Sequence, residues 1–239
     1  MANPATRRIR PLDALRAMRA LLRDPDDTVQ VFRIVDALSG NSGERLFRRF
    51  RHSSTGAAVL REKRQLVETL ENRDELLALP PGTLGHTYAE FMQREQISAG
   101  GLMDASVAGG RDRAATDPAR RLVGDRFRDQ HDLWHVVTGY NRDLVGEAAL
   151  LAFTLAQTWN PGIGFIVAVA WFKLKGDFGY GRTLLRQAFR RGRRSEWLPA
   201  QDWEALLRQP LAEVRRELRV GAPPEYAQRR SAGAPAMAS

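Results

Sequence analysis

The sequence predicts an all-α protein organised as one helical domain. Three observations predict it. Apolar residues recur at helical spacing along nearly the whole chain, and no run shows convincing period-two alternation. A polar cap residue followed by proline recurs at Asp24-Pro25, Asp117-Pro118 and Gln209-Pro210, each a helix-opening signal. The longest apolar stretch, residues 148–174, is cut by Asn160-Pro161-Gly162 into two pieces. Each piece is below the ~18 residues a membrane span needs, so they read as two buried helices.

Taken in order, Asp24-Pro25 is expected to start a helix, with Asp26 and Asp27 favouring its positive end and Val29, Phe32, Ile34 and Val35 as apolar positions. Pro80, Pro81 and Gly82 mark a break before the helix TLGHTYAEFMQRE. Residues 97–117 are glycine-rich and read as a loop. Asp117-Pro118 opens a helix that can run through HDLWHVV. The apolar segments 148–157 and 163–172 follow, joined at Asn160-Pro161-Gly162, and together they are expected to line an apolar pocket. Gln209-Pro210 opens LAEVRREL. Residues 221–239, GAPPEYAQRRSAGAPAMAS, read as a disordered tail.

With 239 residues the chain fits one large domain, or one domain with tails, and can bury a real core. It contains no cysteine, which excludes disulfides and thiolate metal sites. Any metal here must use imidazole and oxygen ligands. The N-terminus, MANPATRRIRPLDAL, lacks the apolar run of a secretory signal. The formal net charge of +9 and the pI near 10.8 suit an anionic partner. A solvated arginine-rich surface would give the same balance. Nucleic acid is not the expected partner, because no recognised motif and no interleaved aromatics accompany the charge. In RTLLRQAFRRGRR, residues 182–194, Arg182, Arg186 and Arg190 share a helix face suited to anionic lipid headgroups.

Chemistry concentrates in RDQHDLWHVVTGYNRDLVGEAAL, residues 128–150, which holds two of the four histidines. His131 and His135 stand at i and i+4, so a helix sets both imidazoles on one face, a turn apart. Asp132 lies within the same broad arc and can serve as a third ligand, an orienting partner or a base. Glu147 follows His135 by twelve residues. In an unbroken helix it would lie roughly 18 Å further along and turned by about 120°. Gly139-Tyr140-Asn141-Arg142-Asp143, with Gly146 before Glu147, supplies a break. A helical hairpin would then return Glu147 to the histidines. The plain alternative is a surface helix carrying two histidines and a carboxylate.

Two generic motifs lie nearby. The zinc-protease pattern H-E-x-x-H has glutamate where this chain has Asp132, one methylene shorter. A phosphohydrolase centred on His131-Asp132 would need His86 or His52 upstream and Asp143 or Asp177 downstream; Asp143 reads better as a turn residue.

At these residues the chain resembles the ubiquinone (coenzyme Q) biosynthesis proteins of the Coq-four type. That family's pattern is H-D-x-x-H, eleven residues, then glutamate. Here it reads HDLWH, VVTGYNRDLVG and Glu147 without departure. LPPGTLGHTYAEFM at 79–92, WEALLRQPLAEVRRELRV at 203–220 and SGERLFRRF at 42–50 are similar to further family segments. The resemblance therefore places a domain at 12–220, an arm at 1–11 and the tail at 221–239.

The resemblance implies an all-α fold with an apolar pocket for a polyprenyl chain. It implies a divalent metal held by His131, Asp132, His135 and Glu147 or through them, usually zinc, with iron, manganese or cobalt also suited to such ligands. The implied activity is removal of the C1 carboxylate from a polyprenylated 4-hydroxybenzoate, in one description with oxidation at C1, and Asp132 and Glu147 are the groups able to move a proton. An older description is a non-catalytic scaffold of the biosynthetic complex. The implied partners are a polyprenylated aromatic acid or quinone precursor, other ubiquinone biosynthesis proteins, an anionic membrane surface and further copies of the chain. The implied location is cytoplasmic and peripheral to the bacterial inner membrane, or on the mitochondrial inner membrane in a eukaryote.

Overall fold

The computed structural model describes residues 8–97, 108, 117–174 and 179–229. Those residues form an all-α domain with no β-strand among them. The loop expected at 97–117 and residues 230–239 of the tail fall almost wholly outside the described residues, as do residues 1–7 of the arm.

Helix α1 spans Pro11–Arg23, with proline at its first position, Asp13 in the first turn and Arg23 in the last, each placed to suit the helix dipole. It ends at Asp24, whose backbone N–H still reaches Ala20 O. The Asp24-Pro25 signal therefore does not open a helix, contrary to expectation. Asp24 Oδ1 accepts from Asp26 N in a tight turn, and α2 begins later, at Thr28–Leu38. Next come α3, Ser42–His52, and α4, Ser54–Glu62, the second capped by Ser53 Oγ accepting from Gly56 N. Two short helices, α5 at Leu66–Glu71 and α6 at Arg73–Leu77, lead to the break at Pro80-Pro81-Gly82.

Helix α7, Leu84–Arg94, starts after that break, capped by Thr83. Its first turn is tied to the C-terminal region: Leu84 N donates to Gln209 O and Gly85 N to Leu207 O. A Cβ at Gly85 would come within 2.9 Å of Leu207 O and 2.6 Å of Leu79 Cδ1. The T-L-G segment thus needs glycine for close backbone approach.

Helix α8, Pro118–Asp129, and helix α9, His131–Thr138, follow as a nearly continuous pair with a step at Gln130. One unbroken helix was expected. The buried Gln130 explains the step: its Oε1 accepts from Trp134 Nε1 at 3.2 Å and Trp203 Nε1 at 2.8 Å, while its Nε2 donates to Arg126 O. Helix α10, Leu144–Thr158, and helix α11, Pro161–Lys173, are the two apolar helices, joined at Asn160, whose side chain caps α11. Helix α12, Gly179–Arg194, packs along α10. A 3-10 turn at Leu198–Ala200 and helices α13, Trp203–Leu206, and α14, Leu211–Glu217, complete the domain.

The main core gathers side chains from α7, α9, α10 and α12 around Leu133, Val137, Leu150, Phe153 and Trp203. Helix α10 is core, as expected. Helix α11 buries only Gly162, Ile163 and Ile166 fully, and Phe172 near its end is 72% exposed. It is apolar all round, yet one side is uncovered by the described residues. Among the described residues, the apolar pocket expected between these helices is not shown. A cavity of about 540 Å³ lies elsewhere, lined by polar side chains including Arg49, His52, Ser54 and Glu196.

Candidate metal centre

The hairpin that the sequence required is present. Helix α9 closes on Gly139, in the left-handed region at φ 77°, with Gly139 N donating to His135 O. Asp143 then caps α10, its Oδ1 accepting from Val145 N at 3.0 Å and Gly146 N at 3.3 Å. Glu147 falls on the first turn of α10, facing back to α9. A side chain at Gly146 would strike Asn141 O and Tyr226 Oη, so glycine is what lets the turn close.

His135 is 1% exposed, and its Nδ1 lies 2.7 Å from Tyr140 O. That carbonyl can only accept, so Nδ1 carries a proton and Nε2 is the ring nitrogen turned toward the cluster. Nε2 is buried without a hydrogen-bond partner and lies 3.4 Å from Glu147 Oε1. His131 Nδ1 lies 3.3 Å from Asp132 Oδ1, and its Nε2 lies 3.9 Å from Glu147 Oε2. The two imidazole centroids are 4.8 Å apart. Ligand atoms from His131, Asp132 and His135 all fall within 4.8 Å of one another, a group that could hold a metal ion. Glu147 adds a second carboxylate from the facing helix.

The electrostatics suit that purpose. Burial opposes the Glu147 charge, but the neighbouring His135, His131 and Arg142 prevail and bring its pKa down to about 2. Asp132 is buried too, yet the hydrogen bond and charge of His131 hold its carboxyl below the usual range. For His131 burial disfavours the cation, and Asp132 more than offsets it, raising the imidazolium pKa. Both carboxylates are charged near neutrality, and an orphaned imidazole nitrogen faces one of them. The imidazoles of His131 and His135 and the Asp132 carboxylate form the group that could hold an ion, and Glu147 Oε1 lies 3.4 Å from His135 Nε2.

Residues 221–229, expected as disordered tail, are built into this turn. Tyr226 Oη donates to Asp143 Oδ2 and accepts from Asn141 N, both at 2.7 Å. Arg229 N donates to Asp143 Oδ1, and Leu144 N to Arg229 O. Burial and the Asp143 carboxylate raise the Tyr226 phenol well above the usual tyrosine range. Its contribution is therefore fully present below pH ~10 and is lost as pH rises through the folded-state pKa. Tyr226→Phe should cost about 1–2 kcal/mol in urea unfolding at pH 7 and should remove this part of the alkaline destabilisation.

The other candidates are not brought here. His86 Nδ1 contacts the Leu77 and Leu79 carbonyls, and its Nε2 faces Glu90. His52 lines the separate polar cavity. Asp143 is a cap, and Asp177 lies outside the described residues. The phosphohydrolase ligand set is not assembled. Sequence reading missed Phe91, whose ring stacks on His135 with centroids 5.9 Å apart, and Gln130 and Tyr226, which carry no motif of their own.

A family model described as coenzyme Q (ubiquinone) biosynthesis protein Coq4 matches residues 10–224. The chain belongs to the Coq4 family. The mitochondrial ubiquinone biosynthesis protein COQ4 of Yarrowia lipolytica is 32% identical over 176 residues, 73% of this chain and 64% of that protein. The mitochondrial COQ4 homolog of Aedes aegypti is 29% identical over 175 residues, 71% of this chain and 60% of that one. The chain thus spans somewhat less than two thirds of these Coq4 relatives. A crystal structure of a Nostoc punctiforme protein assigned to ubiquinone biosynthesis superposes with a TM-score of 0.65 at 26% identity, covering 90% of this chain and all of that one. Among the described residues no helix is long and apolar enough to cross a membrane.

Proposed function

We propose that this Coq4-family chain is a metal-dependent enzyme of ubiquinone biosynthesis. Its reaction is removal of the C1 carboxylate from a polyprenylated 4-hydroxybenzoate as carbon dioxide, a proton taking its place at C1. The observation that carries this reading is the meeting of His135 Nε2, unpartnered and buried, with Glu147 across the hairpin. A buried ring nitrogen without a hydrogen-bond partner is costly, and a metal ligand role accounts for it.

His131, Asp132, His135 and Glu147 would hold the ion. Zinc suits them best; iron, manganese and cobalt accept the same donors. When bound, such an ion stabilises negative charge developing on a substrate oxygen. The remaining work falls to the chain. An aryl carboxylate cannot leave directly without forming an aryl anion, so C1 must first take a proton, after which the carboxylate leaves as carbon dioxide. Whichever of Asp132 and Glu147 is not engaged as a ligand is the carboxylate base placed to relay that proton. Asp132 is buried, while the Glu147 side chain is 34% exposed, so Glu147 is the carboxylate that meets solvent.

The same reading places the chain against an anionic membrane surface, beside other ubiquinone biosynthesis proteins and further copies of itself. It would sit peripherally on the mitochondrial or bacterial inner membrane. Trp159, 54% exposed, and Phe172 leave apolar surface beside the arginines of α12. Arg182 and Arg186 lie over the Trp171 ring, and Arg182 also donates to Trp171 O, so the basic stretch is joined to the uncovered side of α11. That surface also favours a second reading, a lipid-binding scaffold whose metal is structural. Glu147→Gln separates the two. In cells lacking their own family member, the variant should accumulate as folded protein and restore no ubiquinone. Full restoration would leave the scaffold.

A further inference from the structure

His135 Nε2 is not alone around the cluster. Two further buried polar atoms have no hydrogen-bond partner, Arg142 Nε in the turn between α9 and α10 and Tyr88 Oη on α7, the helix packed against α9. Neither is used by the metal centre itself.

Arg142 occupies the turn between α9 and α10, and its Nε is 3.5 Å from Glu147 Oε1 without hydrogen-bond geometry. Two carboxylates, Asp132 and Glu147, neutralise a divalent ion. Once Glu147 is engaged by the metal, the Arg142 charge has lost its counter-ion. The loaded centre is then cationic overall and calls for an anion. Guanidinium meets a carboxylate through paired N–H donors, which makes Arg142 suited to that group.

Tyr88 is 1% exposed on α7, the helix packed against α9. Phe91, one turn along the same face, is the residue stacked on His135. Burial raises the phenol pKa, and the charges of Asp132 and Asp129 raise it further, so the hydroxyl stays protonated as a donor. A buried phenol without an acceptor is an unfilled contact.

We propose that Arg142 and Tyr88 form the ligand-binding side of the centre: Arg142 pairs with the carboxylate of an aromatic acid, and Tyr88 donates to a second oxygen of that ligand. This assignment rests on the proposed aromatic-acid function and names the residues that select the acid.

The test uses full-length, zinc-loaded protein and two probes, 3-geranyl-4-hydroxybenzoate and its methyl ester, with binding followed by calorimetry. The wild type should prefer the acid by about tenfold or more. Arg142→Gln should lose that preference, bind the ester as before and keep its zinc. Arg142→Lys should recover part of it. Tyr88→Phe should weaken acid and ester alike by several-fold. If Arg142→Gln keeps the wild-type preference for the acid, the assignment is overturned while the aromatic-acid function stands. If the wild type binds both probes equally, the assignment also fails. If it binds neither, the aromatic-acid function falls with it.

Discussion

Asp143→Ala is expected to be among the most destabilising single substitutions in the chain, costing about 3 kcal/mol. The carboxylate is 1% exposed and accepts from Val145 N, Gly146 N, Tyr226 Oη and Arg229 N. Alanine removes the cap of α10 and leaves the buried Val145 and Gly146 N–H groups and the part-buried Tyr226 Oη and Arg229 N without this acceptor at once. Asp143→Asn keeps one carbonyl oxygen for the cap and should lose only about 1 kcal/mol. Urea unfolding of the three proteins at pH 7 gives the comparison. The effect should reach the site, because Glu147 rides on the first turn that Asp143 caps. Metal affinity should fall in the alanine variant and hold in the asparagine one. Equal stability of wild type and Asp143→Ala would show that the clamp around the turn carries little.

His135→Ala is expected to have the largest effect on metal binding. The residue supplies the buried nitrogen whose tautomer is fixed by Tyr140 O, and no other described imidazole can take its place. Its loss should weaken zinc by more than about 100-fold, measured by competition with a chromophoric chelator. Circular dichroism should still report a helical protein, because the surrounding core of Leu133, Val137 and Phe153 is untouched. His52→Ala, in the polar cavity away from the cluster, should bind zinc as the wild type does.

Much of this was legible in the sequence, for identifiable reasons. The hairpin was readable because Gly139, Asp143 and Gly146 are residues whose backbone and capping preferences act locally. The shared face of His131 and His135 was readable because i and i+4 fix direction on any helix. What failed depends on distant partners. Asp24-Pro25 carries a helix-opening signal, but Asp24 N is already committed to Ala20 O of α1. Nothing local marks the step at Gln130, which exists because Trp134 and Trp203 both donate to its side chain. The segment around Tyr226 has the composition of a tail and becomes ordered through Asp143 and Asn141, far away in the chain. Helix α11 reads as buried because it is apolar throughout, yet composition cannot say which of its sides is covered. Arg142 was legible only as a turn residue; its closeness to Glu147 is a consequence of the hairpin.

The metal content of protein purified without chelator or nickel affinity tests the central claim most directly. The account predicts about one divalent ion per chain, bound by the wild type and lost in His135→Ala. No metal in either protein, even after incubation with zinc, ferrous iron, manganese and cobalt, would contradict it and leave His131, Asp132, His135 and Glu147 as a buried polar cluster.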